Sequence, residues 1–326
     1  MPEPRGEAVV HDQGQGLVDG LVADGRPLLS VTGLALWLSG AFALFLSARR
    51  EFLPHDVSFL GQTAAELCAV ADCRVNRFMF HDRVAFGGTL LAIGALYLWM
   101  AAFPLRDGYR WAWRAFAVSG TLGFASFLAY LGYGYLDTWH GVATLALLPC
   151  FLLGLWRSRA LGRLDAANLL RSPGGASGWR AGRWGLAATA AGMGLAGLVI
   201  VTLGSSIVFV PQDIAFMGMD RAALDAVNPR LVPLIAHDRA GFGGGLLTIG
   251  TLVGFIACFA PPSRALRQVL WLAGTAGFGC AVGVHYLEGY TDITHLAPAW
   301  AGVGLFYSSV WLLARERPPR HGDPRP

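Results

Sequence analysis

The sequence has no lysine: all 25 of its basic residues are arginine. Schiff-base and lysine-nucleophile chemistry are thereby excluded. Charge of either sign is scarce, at 14% of residues, where a soluble chain carries roughly a quarter. With 54% hydrophobic residues and a mean hydropathy of +0.48, that scarcity excludes a soluble globular enzyme and an intrinsically disordered chain. Cysteine is limited to five residues in 326, too few for a disulfide scaffold. Basic residues exceed acidic ones by only four and are scattered, so nucleic acid has no electrostatic footprint here. The first 27 residues lack the apolar stretch of a secretory signal and read as a loose tail.

What the chain does have is long apolar runs. A spanning helix needs about 20 mostly apolar residues. Eight segments qualify, at roughly 28–47, 82–104, 112–133, 138–157, 183–209, 238–260, 266–286 and 294–314. The expected fold is all-α, a polytopic membrane protein with eight transmembrane helices. Cytoplasmic loops carry the arginine excess of such proteins. With both termini cytoplasmic, 17 arginines lie inside and eight outside, the latter mainly in two long loops. The reading is an integral protein of a membrane such as the bacterial inner membrane. It has a cytoplasmic tail (1–27), a four-helix unit A (28–157), a cytoplasmic linker (158–182), a four-helix unit B (183–315) and a cytoplasmic tail (316–326). The linker's Arg-Ser-Pro-Gly-Gly-Ala-Ser-Gly at 171–178 is a turn-rich break.

The two units repeat one another. Phe52-Leu-Pro-His-Asp-Val-Ser-Phe-Leu-Gly61 matches Phe209-Val-Pro-Gln-Asp-Ile-Ala-Phe-Met-Gly218, and His81-Asp-Arg-Val-Ala-Phe-Gly-Gly88 matches His237-Asp-Arg-Ala-Gly-Phe-Gly-Gly244. Tyr130-Leu131 matches Tyr286-Leu287, and Asp137-x-x-His140 matches Asp292-x-x-His295, at offsets of 155–157. Four spans is an even number, so both units enter the membrane in the same direction, as a parallel repeat. Gly87, Gly88 and Gly94, with Gly243, Gly244, Gly245 and Gly250, put small residues on one side of each second helix, which suits close packing.

Six of the eight histidines fall in one layer at the outer face: His55, His81, His140, His237, His285 and His295. Asp56, Asp82, Asp137, Asp213, Asp238, Asp292 and Glu288 share it. Part of this has a plain structural reading. Asp137 and Asp292 suit helix N-caps, Asp82 and Asp238 suit the positive end of a helix dipole, and Arg83 and Arg239 suit snorkelling to the headgroups. Capping gives no reason for histidine at four matched places, and ionisable groups at membrane depth default to function. Histidine and aspartate without thiolate suit zinc, iron, copper or manganese, or a bis-imidazole haem. One unit offers His81, Asp82, Asp137 and His140 as ligands. The other offers His237, Asp238, Asp292 and His295, with His285 and Glu288 close by. In Asp-x-x-His the two side chains share a helix face, so the aspartate either ligates or holds the imidazole. Asp82 and Asp238 are the candidate catalytic bases. Cys68 and Cys73, in the first outer loop, either pair as a disulfide or serve as thiols.

This layout resembles the haem A synthase family, which has eight helices in two four-helix units. That family has a histidine on each even-numbered helix near the outer face and a cysteine pair in the first outer loop. His81, His140, His237, His295 and Cys68/Cys73 occupy those places; the family's His-Arg is His-Asp-Arg here. The resemblance implies haem held between the helices of one unit, Arg83 or Arg239 near its propionates, and a substrate haem in the other unit.

Three functions follow as expectations. The first is a membrane oxidoreductase with haem on His81/His140 or His237/His295 and an electron-transfer partner. The second is a non-haem metal enzyme, an oxygenase or a lipid hydrolase, acting on a membrane lipid or lipid-soluble substrate. The third is a non-catalytic transporter or metal-handling protein, which the lack of charged residues at helix centres disfavours.

Overall fold

The computed structural model describes residues 22–70, 72–128, 135, 138–170 and 177–315, and these are helical throughout with short connections. The long helices are α1 (Arg26–Ala48), α4 (Arg74–Ala102), α5 (Arg110–Leu128), α6 (Thr138–Ser158), α7 (Ser177–Gly204), α10 (Leu231–Phe259), α11 (Arg264–Glu288) and α12 (Ile293–Arg315). Four seven-residue helices sit in the two long loops: α2 (Pro54–Leu60), α3 (Ala64–Val70), α8 (Pro211–Met217) and α9 (Arg221–Val227). All the long helices except α5 are long and apolar enough to cross a membrane, which makes seven. Arg114, two tryptophans and the hydroxyl residues Ser119, Thr121 and Ser126 dilute α5, and residues 129–133 of its expected span lie outside the described residues.

Three helix starts precede the apolar-run expectation by six residues or more, α7 among them, beginning at Ser177 rather than 183. Helices α4 and α10 begin seven residues or so before 82 and 238 and run 29 residues each, about 44 Å. The apolar criterion stops at the first charged residues, but the helix continues past them because Phe78, Met79, Leu234 and Ile235 have an apolar cap to pack against. His81 and His237 therefore lie about two turns inside their helices rather than opening them. Asp82 and Asp238 are accordingly out of reach of the helix-dipole term, which fades within the first turn.

Helix α4 packs on α1, α11 and α10; α10 packs on α7, α5 and α4. The third long helix of each half thus lies against the second long helix of the other half, so the halves interlock. Glycine permits these contacts. A Cβ on Gly40 would lie 2.5 Å from the Gly87 carbonyl oxygen, and one on Gly197 would lie 2.6 Å from that of Gly243. The α4 glycines serve two neighbours: Gly87 and Gly94 face α1, and Gly88 faces α11. The apolar interior forms two bodies. One, built on Leu96, Met100, Phe116, Leu252 and Ile256, fills the bundle. The other, built on Phe52, Leu67, Phe78, Phe209, Leu234 and Tyr290, lies under the short helices. Between them runs a buried polar layer.

Candidate metal centre

His81-Asp82-Arg83 and His237-Asp238-Arg239 sit on helices, where consecutive side chains point about 100° apart. Each trio therefore reaches three different partners. The arginines exchange partners between halves. Arg83 Nε lies 3.1 Å from Asp238 Oδ2, and Arg239 Nε lies 3.3 Å from Asp82 Oδ2. Each also takes an aspartate from the loop of its own half: Arg83 Nη2 to Asp56 Oδ2 at 2.5 Å, Arg239 Nη1 to Asp213 Oδ2 at 2.7 Å. A tyrosine completes each arm. Tyr135 donates to Asp56 Oδ1 at 2.6 Å, and Tyr290 donates to Asp213 Oδ1 at 2.7 Å. All of these groups are buried. Burial of unpaired charge is costly, and here four carboxylates face two guanidinium groups. The layer has room for further positive charge.

That room lies beside three imidazoles. One ring nitrogen from each of His81, His285 and His295 lies within 4.8 Å of the other two. They come from α4, α11 and α12, so both halves contribute. Among the described residues no other group of three or more His, Cys, Asp or Glu converges in this way. His81 Nε2 and His285 Nε2 are 2.9 Å apart. The partners of the other ring nitrogens fix two of the tautomers. His285 Nδ1 lies 2.6 Å from the Ala281 carbonyl oxygen, which only accepts, so Nδ1 carries the hydrogen. His81 Nδ1 lies 3.2 Å from Asp82 Oδ1, outside hydrogen-bond geometry. His295 Nδ1 lies 3.3 Å from the Tyr290 hydroxyl, whose own hydrogen goes to Asp213. Burial first, then the neighbouring Asp213 charge, holds the Tyr290 phenol above its usual range, so it stays protonated. The Nδ1 atoms of His285 and His295 are thus directed to acceptors, and His81 Nε2 faces His285 Nε2 across 2.9 Å, a gap that a shared hydrogen or a bound cation fills. Tyr290 is wedged among the rings, stacked on His295 at 4.5 Å between centroids and 5.4 Å from His81.

The remaining expected residues fall elsewhere. His237 does not join the three. Its Nδ1 lies 3.1 Å from Asp238 Oδ1, and its ring packs edge-on against Tyr135. Asp82 and Asp238, the expected bases, face both an imidazole and an arginine. Asp292 caps α12: its Oδ1 accepts from the Thr294 hydroxyl at 2.6 Å and the His295 backbone N–H at 2.8 Å. These bonds, the hydroxyl's first, hold its carboxyl below the usual range. His55 lies 3.5 Å from Asp56 Oδ1. Asp137 and the side chain of His140 lie outside the described residues. Among the described residues His81 meets His285 and His295 of the other half, while its expected grouping with His140 falls outside the described residues. Cys68 and Cys73 are bonded to each other.

Tyr135, Tyr290 and the pairing of Arg50 are not singled out by the sequence reading. The tyrosines stand 155 residues apart, the same offset as the matched motifs, and that signal finds them. Arg50 Nη1 donates to both oxygens of buried Glu288, at 2.5 and 2.7 Å. Arg50 follows α1 with φ +58°, a left-handed position where glycine is usual. An L side chain there costs roughly 1–2 kcal/mol.

No family model, curated protein or solved structure matches the chain. The chemistry is therefore read from the site itself.

Proposed function

We propose that the protein is an integral membrane metal enzyme whose ion is held by His81, His285 and His295. In this reading eight helices span the membrane as two parallel repeats, both termini are cytoplasmic, and the polar layer lies near the outer face. One observation carries the metal assignment: one ring nitrogen from each of His81, His285 and His295, on three different helices, lies within 4.8 Å of the other two. Three imidazoles without thiolate suit zinc, iron, copper or manganese. A nitrogen-ligated ion sits about 2.0–2.1 Å from each ligand and, with three protein ligands, keeps a position open. Two charges on the ion would match the two carboxylates in excess of arginine.

A haem on His81 and His285 fits this arrangement less well than an ion does, and the expected His81/His140 pair falls partly outside the described residues. Axial imidazoles on opposite sides of an iron stand about 4 Å apart, twice the usual bond, whereas His81 and His285 approach to 2.9 Å.

A bound ion would supply an activated water, a Lewis acid or a redox centre. The chain's own part is to fix the rings through Ala281 and Tyr290, and to exclude bulk water with the cap of α2, α3, α8 and α9. The substrate is lipid-soluble: Leu287 and Ile293, beside His285 and His295, are each 78% exposed, as lipid-facing groups would be. Iron or copper would mark an oxidoreductase with an electron partner, and zinc a hydrolase.

The test is elemental analysis and an absorption spectrum on one detergent-purified sample. About one transition-metal ion per chain is expected, without a haem Soret band, and His285→Ala should lose it. A metal-free protein, or undiminished metal in all three alanine variants, overturns the reading.

A further inference from the structure

Three residues set the three-histidine half of the polar layer apart from its counterpart. His285 stands where the matched position is Ala129, Glu288 where it is Gly132, and Arg50 where it is Ile207. The ion-paired aspartates, arginines and tyrosines are common to both halves; these three are not. They also meet in space. Arg50 holds Glu288 through both carboxylate oxygens. Glu288 lies three residues after His285, on the same face of α11. The Arg50 guanidinium lies over the ring of Phe80, 5.5 Å from its centroid, and Phe80 precedes His81. Arg50 thus stands at the outer edge of the histidine cluster.

Its exposure is unequal to that of its partner. The Arg50 side chain is 53% exposed, while that of Glu288 is 5% exposed. A guanidinium open to water on one side and resting on a buried carboxylate on the other has donors left for a second anion. Its fork geometry matches carboxylate and phosphate oxygens. Leu287, adjacent to Glu288 in sequence, and Ile293, which opens α12, present exposed apolar side chains.

We propose that Arg50 is the head-group subsite of the three-histidine centre, for an amphiphile with a carboxylate or phosphate head and an apolar tail. The head takes the Arg50 donors that Glu288 leaves open, and the tail lies along the Leu287–Ile293 surface. The proposal rests on the metal reading for what the site does to this ligand, but the binding itself is independent of the ion. Arg50, from the first half, and Glu288, from the second, pair beside His285 and have no counterpart at their matched positions, which ties the pair to the centre rather than to the shared scaffold.

The full chain in phosphatidylcholine nanodiscs is titrated with labelled oleate and with labelled dioleoylphosphatidic acid, and metal content is measured on the same samples. Arg50→Gln should weaken binding of both roughly tenfold or more. Glu288→Gln, which removes the competing charge, should tighten it. Inorganic phosphate in solution should compete poorly, because it lacks the tail. Wild-type binding by Arg50→Gln overturns the proposal. So does equal weakening by both variants, the result expected if the pair is only a strap. Full competition by inorganic phosphate overturns the amphiphile. Arg50-dependent binding to a metal-free wild type would sink the metal reading and leave this subsite standing.

Discussion

His81 and His237 occupy matched positions, each with Nδ1 a little over 3 Å from the next residue's carboxylate. Among the described residues, His81 meets the imidazoles of His285 and His295. Around both histidines stands the same frame: an arginine shared across the halves, a loop aspartate and a tyrosine donating to it. Around His81 stand in addition His285 and the Arg50–Glu288 pair, for which the matched positions hold Ala129, Ile207 and Gly132. What both halves have holds the layer together. What one half has is where a ligand-directed function is to be sought.

The most damaging way to break this comparison is to remove a shared arginine. Arg83→Met and Arg239→Met each strand two buried carboxylates, and breaking a buried pair costs about 3–5 kcal/mol. Thermal unfolding in detergent should show two similar, large losses. A severe loss in one variant only would mean that the frame is not shared energetically.

The comparison is sharpened next at the histidines. His285→Ala removes one of the three converging rings and should strip the ion, an effect beyond the roughly 10–100-fold seen when an outer-shell partner is lost. His237→Ala should leave metal content unchanged. Equal metal loss in the two variants would erase the distinction between the halves.

Much of this was legible in the sequence. Seven helices long and apolar enough to span follow from apolar runs, and the candidate ligands His81, His285 and His295 follow from ionisable groups gathered in one layer. The grouping of those histidines was not legible. It depends on α11 packing against α4 of the other half, and a repeat read along the chain groups residues by unit. The starts of α4 and α10 were missed because hydropathy measures contact with lipid, whereas 74–81 and 231–237 are buried against a protein cap. Arg50 was hidden because its partner lies 238 residues away.

Tyrosine gives a subtler separation. Tyr290→Phe and Tyr135→Phe each leave a buried aspartate oxygen without its donor, at roughly 1–3 kcal/mol. Both should lower the unfolding temperature. Tyr290→Phe should also weaken metal binding, by roughly 10–100-fold, because the Tyr290 hydroxyl meets a ligating ring, and Tyr135→Phe should not. A matching affinity loss in Tyr135→Phe would place the tyrosines in the frame alone.

The smallest effect concerns Asp292, which sequence reasoning offered both as a cap and as a ligand. The Thr294 hydroxyl and the His295 backbone N–H hold its carboxyl below the usual value. A carboxyl depressed in the folded state adds stability above the unfolded value of about 3.9, and that stability is lost as pH falls through the lower folded value. The gap in unfolding temperature between wild type and Asp292→Ala should therefore be constant from pH 7 to 5 and shrink below about pH 4. Asp292→Asn should recover most of the gap at pH 7, since asparagine caps about as well as aspartate. Metal content should be unchanged in both variants, because the carboxylate accepts from the first turn of α12 while the His295 ring turns towards Tyr290. Loss of the ion from Asp292→Asn at pH 7 would move Asp292 from the frame into the metal site, and the two halves would then differ in one more residue than the packing assigns.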